Sequence, residues 1–132
     1  MGSFNKFKVQ KQEEAGLWFD IPLPSGLKSG EKMLIAGKYA KVTQDAIASY
    51  YKKLRNAKAG EEPKIADEVL PKVILDWTCD DECSTKNLVA LFTEAEYLVD
   101  WAWGLITNHD SFFVNGSQLS PKPVTTEKTE TQ

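Results

Sequence analysis

The chain has 132 residues, 42% of them hydrophobic and 27% charged, with a net charge of −3 from 16 basic and 19 acidic side chains. That is one domain's worth of chain with an ordinary globular composition. The acidic balance argues against a general nucleic-acid binder, which must neutralise phosphates, and against a protein that lies on anionic membranes. No apolar run approaches the roughly 18 to 20 residues that cross a bilayer. Met1 to Gly16 lacks the apolar centre of a secretory signal. Lys6 stands where the myristoylation pattern wants Ser or Thr. Two cysteines, Cys79 and Cys83, are too few for a disulfide framework and point to a reducing cytosol.

Along the chain, Leu17 to Leu23 reads as extended: Trp18, Phe19 and Ile21 favour a strand, and Pro22 suits its end. Pro24-Ser25-Gly26 and Ser29-Gly30 read as a turn, with Lys32 to Ala36 as the return strand. A lone hairpin is marginal in water, so it should pack on helices or pair with another chain. From Thr43 the period becomes helical, with Ile47, Tyr50, Tyr51 and Leu54 on one face. Thr43 is the expected N-cap, Lys52 to Lys58 suit the negative end of the helix, and Gly60 should end it. Pro63 fits a first helical residue. Pro71 must then break the apolar pattern of Ile65, Val69, Leu70 and Val73, after which Val73 to Trp77 should pack inward.

Thr78 to Ser84 is an acidic connector, and Ser84 or Thr85 can cap a helix carrying Leu88, Leu91, Phe92 and Ala95. Thr93 with Glu96 matches a capping box that could open a further helix with Tyr97, Leu98, Trp101 and Leu105. The sequence leaves open whether Leu88 to Ile106 is one helix or two. Asn108 is a reasonable stop, and Phe112-Phe113-Val114 a short apolar coda. The expected architecture is mainly α: a flexible N-terminus over residues 1–15, a single helical domain with a short N-terminal β-hairpin over 16–115, and a disordered polar tail over 116–132.

Catalytic and metal-binding patterns are weak. Cys79 and Cys83 could supply two zinc ligands, but a structural site wants four and the one histidine, His109, is far along the chain. Two half-buried thiols at a helix junction is the better reading. Asp80-Asp81-Glu82 lacks the alternation and glycine of a calcium loop. His109-Asp110-Ser111 holds triad residue types, but triad partners meet in space rather than in sequence. Ser25 to Gly30 matches no phosphate-binding loop. No catalytic residue, metal site or cofactor is therefore expected. Trp101 and Trp103 point about 200° apart on a helix. Either one is exposed or at an interface, where tryptophan is enriched, or the helix is buried on two sides.

The order of elements resembles the tail assembly chaperones of long-tailed bacteriophages. The likeness runs from Gly16 to Phe113. It comprises the Gly-aromatic strand Gly16-Leu17-Trp18-Phe19-Asp20-Ile21, the strand Met33-Leu34-Ile35-Ala36, and a helix ending in basic residues. It continues through Val73-Ile74-Leu75-Asp76-Trp77, the Lys86-Asn87-Leu88 helix start after an acidic loop, and an aromatic C-terminal helix. The resemblance implies a mostly helical, self-associating, non-enzymatic protein of the host cytoplasm. Such a protein coats the tape measure protein, recruits tail tube protein and is absent from the finished virion. It also implies a longer frameshifted form, for which the tail from Gly116 would suit as a linker. The expected contact residues are Trp18, Phe19, Trp101, Trp103 and Leu105, engaging amphipathic segments helix in groove. The rival readings are a structural virion component, such as a small tail or head–tail joining protein, and a thiol-based regulator.

Overall fold

The computed structural model describes residues 10–121. Its elements in chain order are α1 (Gln10–Ala15), β1 (Leu17–Pro22), β2 (Lys28–Ile35), α2 (Lys41–Asn56), α3 (Ile65–Glu68), α4 (Leu70–Val73), β3 (Ile74–Trp77), α5 (Thr85–Glu94), α6 (Tyr97–Thr107) and α7 (His109–Asn115). The hairpin is not an appendage to a helical bundle. It is two thirds of a three-stranded antiparallel sheet in the order β1-β2-β3. The expectation of a mainly α domain is corrected accordingly: this is a mixed α/β domain in which helices cover one face of a sheet.

The correction turns on the segment after Pro71. Pro71 sits in the first turn of α4, where its missing N–H costs nothing. The chain leaves that single turn at Ile74 and enters β3. Ile74-Leu75-Asp76-Trp77 was expected to pack inward, which Ile74 and Trp77 do, but as a strand. Met33 pairs with Trp77 and Leu34 with Asp76, and then the register slips so that Ile35 pairs with Ile74. In an unbroken strand, residues three apart face opposite sides. The irregularity at Leu75 lets both Ile74 and Trp77 point into the core and leaves Leu75 exposed. A third strand with a buried face supplies the support that an isolated hairpin lacks.

On the core face stand Leu17, Phe19 and Ile21 of β1 and Met33 and Ile35 of β2, alternating as a half-buried strand requires. They join Val69, Leu70 and Val73, Leu88 and Phe92, Leu98, Ala102 and Ile106, and Phe112 in one cluster. Phe112 rests on Phe19 with ring centroids 5.2 Å apart. Trp77 is buried and its indole N–H donates to the Asp81 carbonyl at 2.7 Å, which fastens the acidic loop to the sheet.

Several helix ends differ from expectation. The second helix starts at Lys41, not at Thr43. Its cap, Ala40, offers no side-chain bond, and Thr43 is buried in the first turn. It stops at Asn56, short of Gly60, and Pro63 precedes α3 rather than opening it. Ser84 caps α5 by accepting the Asn87 N–H. The stretch from Leu88 to Ile106 is two helices, broken at Ala95 and Glu96. The Thr93–Glu96 capping box does not form, because α5 still runs through Thr93. Asn108 ends α6 and also caps α7 by accepting the Ser111 N–H.

Both expected boundaries shift as well. Residues 10–15, assigned to a flexible N-terminus, include α1, whose Glu13 is fully buried. Its Oε1 accepts the Tyr39 N–H at 2.8 Å and its carbonyl accepts the Gly37 N–H at 2.8 Å. Ser117, assigned to the disordered tail, exchanges two backbone bonds with Trp18. The remainder of both expected flexible segments, residues 1–9 and 122–132, lies outside the described residues.

Two stability tests follow from this packing. Trp77→Ala should lower the unfolding free energy by roughly 3–5 kcal/mol, read from the urea midpoint; a loss below about 1 kcal/mol would show that Trp77 does not anchor the sheet. Gly37→Ala would place a Cβ 2.5–2.7 Å from the Glu13 side chain. It should cost roughly 1–3 kcal/mol by overpacking, and an unchanged melting temperature would contradict the seating of α1 described here.

Candidate protein-binding site

The hairpin and the C-terminal helices meet in a groove of about 380 Å³. Phe19, Asp20 and Pro22 line it from β1, Gly26 and Lys28 from the turn and β2, Trp101 and Leu105 from α6, and Ser111 and Asn115 from α7. Its position follows from local chemistry. Pro22 ends β1, and the turn closes with the Gly26 N–H donating to the Leu23 carbonyl and the Leu23 N–H to the Leu27 carbonyl. Gly26 takes φ +91°, a left-handed conformation that a side chain would resist. The Tyr97 hydroxyl donates to the Pro22 carbonyl at 2.7 Å and pins the hairpin end to the first turn of α6.

One wall is apolar and the other charged. Phe19 and Leu105 are buried beneath the groove, whereas Trp101 is half-buried and presents part of its indole. Leu23 and Leu27 at the turn are exposed, Leu27 by 69%, and Tyr97 is 38% exposed. They add apolar surface to the hairpin end. On the charged wall, Asp20 meets Lys32 at 2.7 Å and Lys28 at 3.4 Å. The Lys32 hydrogen bond is the main cause holding the Asp20 carboxyl below its usual range. A concave site with an apolar base and polar groups around its rim suits the burial of a partner's side chains.

The five residues expected to contact a partner divide three ways. Phe19, Trp101 and Leu105 come together in this groove. Phe19 and Leu105 are core residues that form its base, so only Trp101 of the three offers substantial free surface. Trp103 is half-buried on the other side of α6, its ring 6.3 Å from Tyr50. Trp18 is buried on the sheet face opposite Phe19 and bonds Ser117 through its backbone. Sequence reasoning missed Leu23, Leu27 and Tyr97. The two leucines flank a Pro-Ser-Gly turn, a position where an apolar side chain has no core to enter.

The other candidates stay apart. Cys79 and Cys83 are half-buried and form no disulfide. Burial first, and then the Glu31 carboxylate, raises the Cys79 pKa, which disfavours the thiolate that a nucleophile or metal ligand needs. Among the described residues no group of three or more His, Cys, Asp and Glu side chains could hold a metal ion. His109 faces Glu13, with Nδ1 3.8 Å from Oε2, and packs against Tyr39 and Phe113. Ser111 instead lines the groove.

Among the described residues no helix is long and apolar enough to cross a membrane. Comparison with protein-family models, with curated proteins and with solved structures finds no match.

The Asp20 pairing has a pH signature. A carboxyl whose pKa falls on folding contributes stability above its unfolded value, near pH 4, and loses it as the pH drops through the folded value. Asp20 and Lys32 are both about one third exposed, so Asp20→Asn should cost less than about 1 kcal/mol at neutral pH. The difference between wild type and variant should shrink as the pH falls below the unfolded value and vanish once Asp20 is protonated in the folded state as well. Equal stabilities at pH 7 would show that the pair contributes nothing.

Proposed function

We propose that this chain is a non-enzymatic assembly chaperone of a long-tailed bacteriophage. It covers apolar helical segments of the tape measure protein and helps recruit tail tube protein. It self-associates, acts in the host cytoplasm and is left out of the finished virion. The single observation that supports this reading best is the groove under Trp101, together with the exposed Leu23, Leu27 and Tyr97 beside it. Apolar surface placed this way is costly to leave in water and suits a partner that presents apolar side chains from a helix. The resemblance in element order supplies the identity of that partner. Burial, which raises the Cys79 pKa, favours this reading over the thiol-based regulator.

The experiment is co-expression of this chain with the tape measure and tail tube proteins encoded beside it, followed by affinity recovery. Wild-type chain should recover the tape measure protein in soluble form. Trp101→Glu should reduce recovery about tenfold or more while the variant stays folded, since a central aromatic anchor is worth about 2 kcal/mol or more. No recovery by the wild type, with the chain present in purified particles, would replace the chaperone by a structural virion component.

A further inference from the structure

We propose that the face of α6 opposite Trp101 is a second docking site, shaped for a cationic amphipathic helix. Successive residues on a helix turn by 100°. Glu96, Val99, Asp100 and Trp103 therefore share a side of α6 that is turned away from Trp101 and Leu105. That side looks into a separate groove of about 410 Å³. Tyr50 of α2, Phe92 of α5 and Val99 supply its apolar wall, and the Trp103 ring stands edge-on to Tyr50. Asp67, Glu96 and Asp100 form its rim, with Lys64 as the single cation of the lining.

The charge of this surface names its occupant. Between Lys86 and Lys122 the sequence contains no lysine or arginine, while it carries Glu94, Glu96, Asp100 and Asp110. The α6 side of the groove therefore carries Glu96 and Asp100 and no basic residue. Glu96 and Asp100 lie four residues apart, and like charges at that spacing repel. Asp20, Asp45 and Glu68 each have a lysine partner. Among the described residues Asp67, Glu96 and Asp100 have none. Three unpaired carboxylates around an aromatic floor complement a helix with apolar residues along one stripe and Lys or Arg beside it. The groove runs between helices, which favours a helical guest over an extended one. This inference does not depend on the chaperone reading, because it rests on a different face and a different chemistry.

The probe is a labelled synthetic helix of about 18 residues made of Leu and Lys, compared with the same pattern made of Leu and Glu. Binding to the full chain is read by fluorescence anisotropy. The Leu/Lys helix should bind and the Leu/Glu helix should not. Asp100→Lys and Glu96→Lys, both at exposed positions, should each weaken binding about tenfold. Asp81→Lys, which makes the same change in net charge on the acidic loop, should leave affinity within about twofold. Trp101→Glu in the first groove should also leave it unchanged. Failure of the Leu/Lys helix to bind, equal binding of both helices, or equal weakening by Asp81→Lys and Asp100→Lys would overturn the proposal.

Discussion

The structure depends on β2 being a central strand. Met33 and Ile35 are fully buried, and each pairs with β1 on one side and β3 on the other. An edge strand would leave a row of backbone donors and acceptors to satisfy. Here both rows are occupied, and the inward face is left as a flat apolar surface for the helices. Every buried helical side chain in the core joins that surface in one cluster. Without β3 the hairpin would be a two-stranded ribbon of marginal stability. The single turn of α4 and the irregular register at Leu75 are therefore the local devices on which the global fold turns.

The same arrangement places the two grooves. β1 projects Phe19 onto Phe112, which fixes α7 against the sheet, and the Tyr97 hydroxyl holds the hairpin end against α6. The helix α6 buries Leu98, Ala102 and Ile106 and leaves surface on both flanks of that stripe. One flank carries Trp101 beside the hairpin. The other carries Glu96, Val99, Asp100 and Trp103 beside α2. A helix buried along a single stripe between a sheet and a second helix necessarily borders two clefts. Their chemistry differs because Asp20 and Lys28 pair at the first, whereas Asp67, Glu96 and Asp100 rim the second with Lys64 as its one lining cation.

The interior also contains a buried polar anchor. Glu13 reaches back from α1 to the backbone of Gly37 and Tyr39 and faces His109 on α7. A buried polar side chain is tolerated where it is hydrogen-bonded, as Glu13 is through the Tyr39 N–H. Gly37 is required there because a side chain would occupy the space that Glu13 fills. This contact ties the first described helix to the last, bringing the two ends of the described chain to one side of the domain.

Period and punctuation in the sequence determined the hairpin and its apolar residues, the helix over Ile47 to Leu54, a helix cap at Ser84 or Thr85 and the stop at Asn108. Each of these is local: alternation, a 3.6-residue repeat or a side chain that reaches the backbone three residues away. The sequence also showed that Trp101 and Trp103 could not share one face. Tertiary structure alone decided that Ile74 to Trp77 is a strand, since three apolar residues and an aspartate are too short a run to carry a period and only the open edge of β2 distinguishes a strand from a buried turn. It alone decided that Phe19 faces the helices and that Trp18, on the opposite face, is buried as well, because a strand's two faces look alike until the rest of the chain covers them. It also brought Tyr50, Phe92 and Val99 to one groove and Phe19, Trp101 and Leu105 to another. Those groups are far apart in the chain, and their meeting is fixed by packing rather than by any local preference.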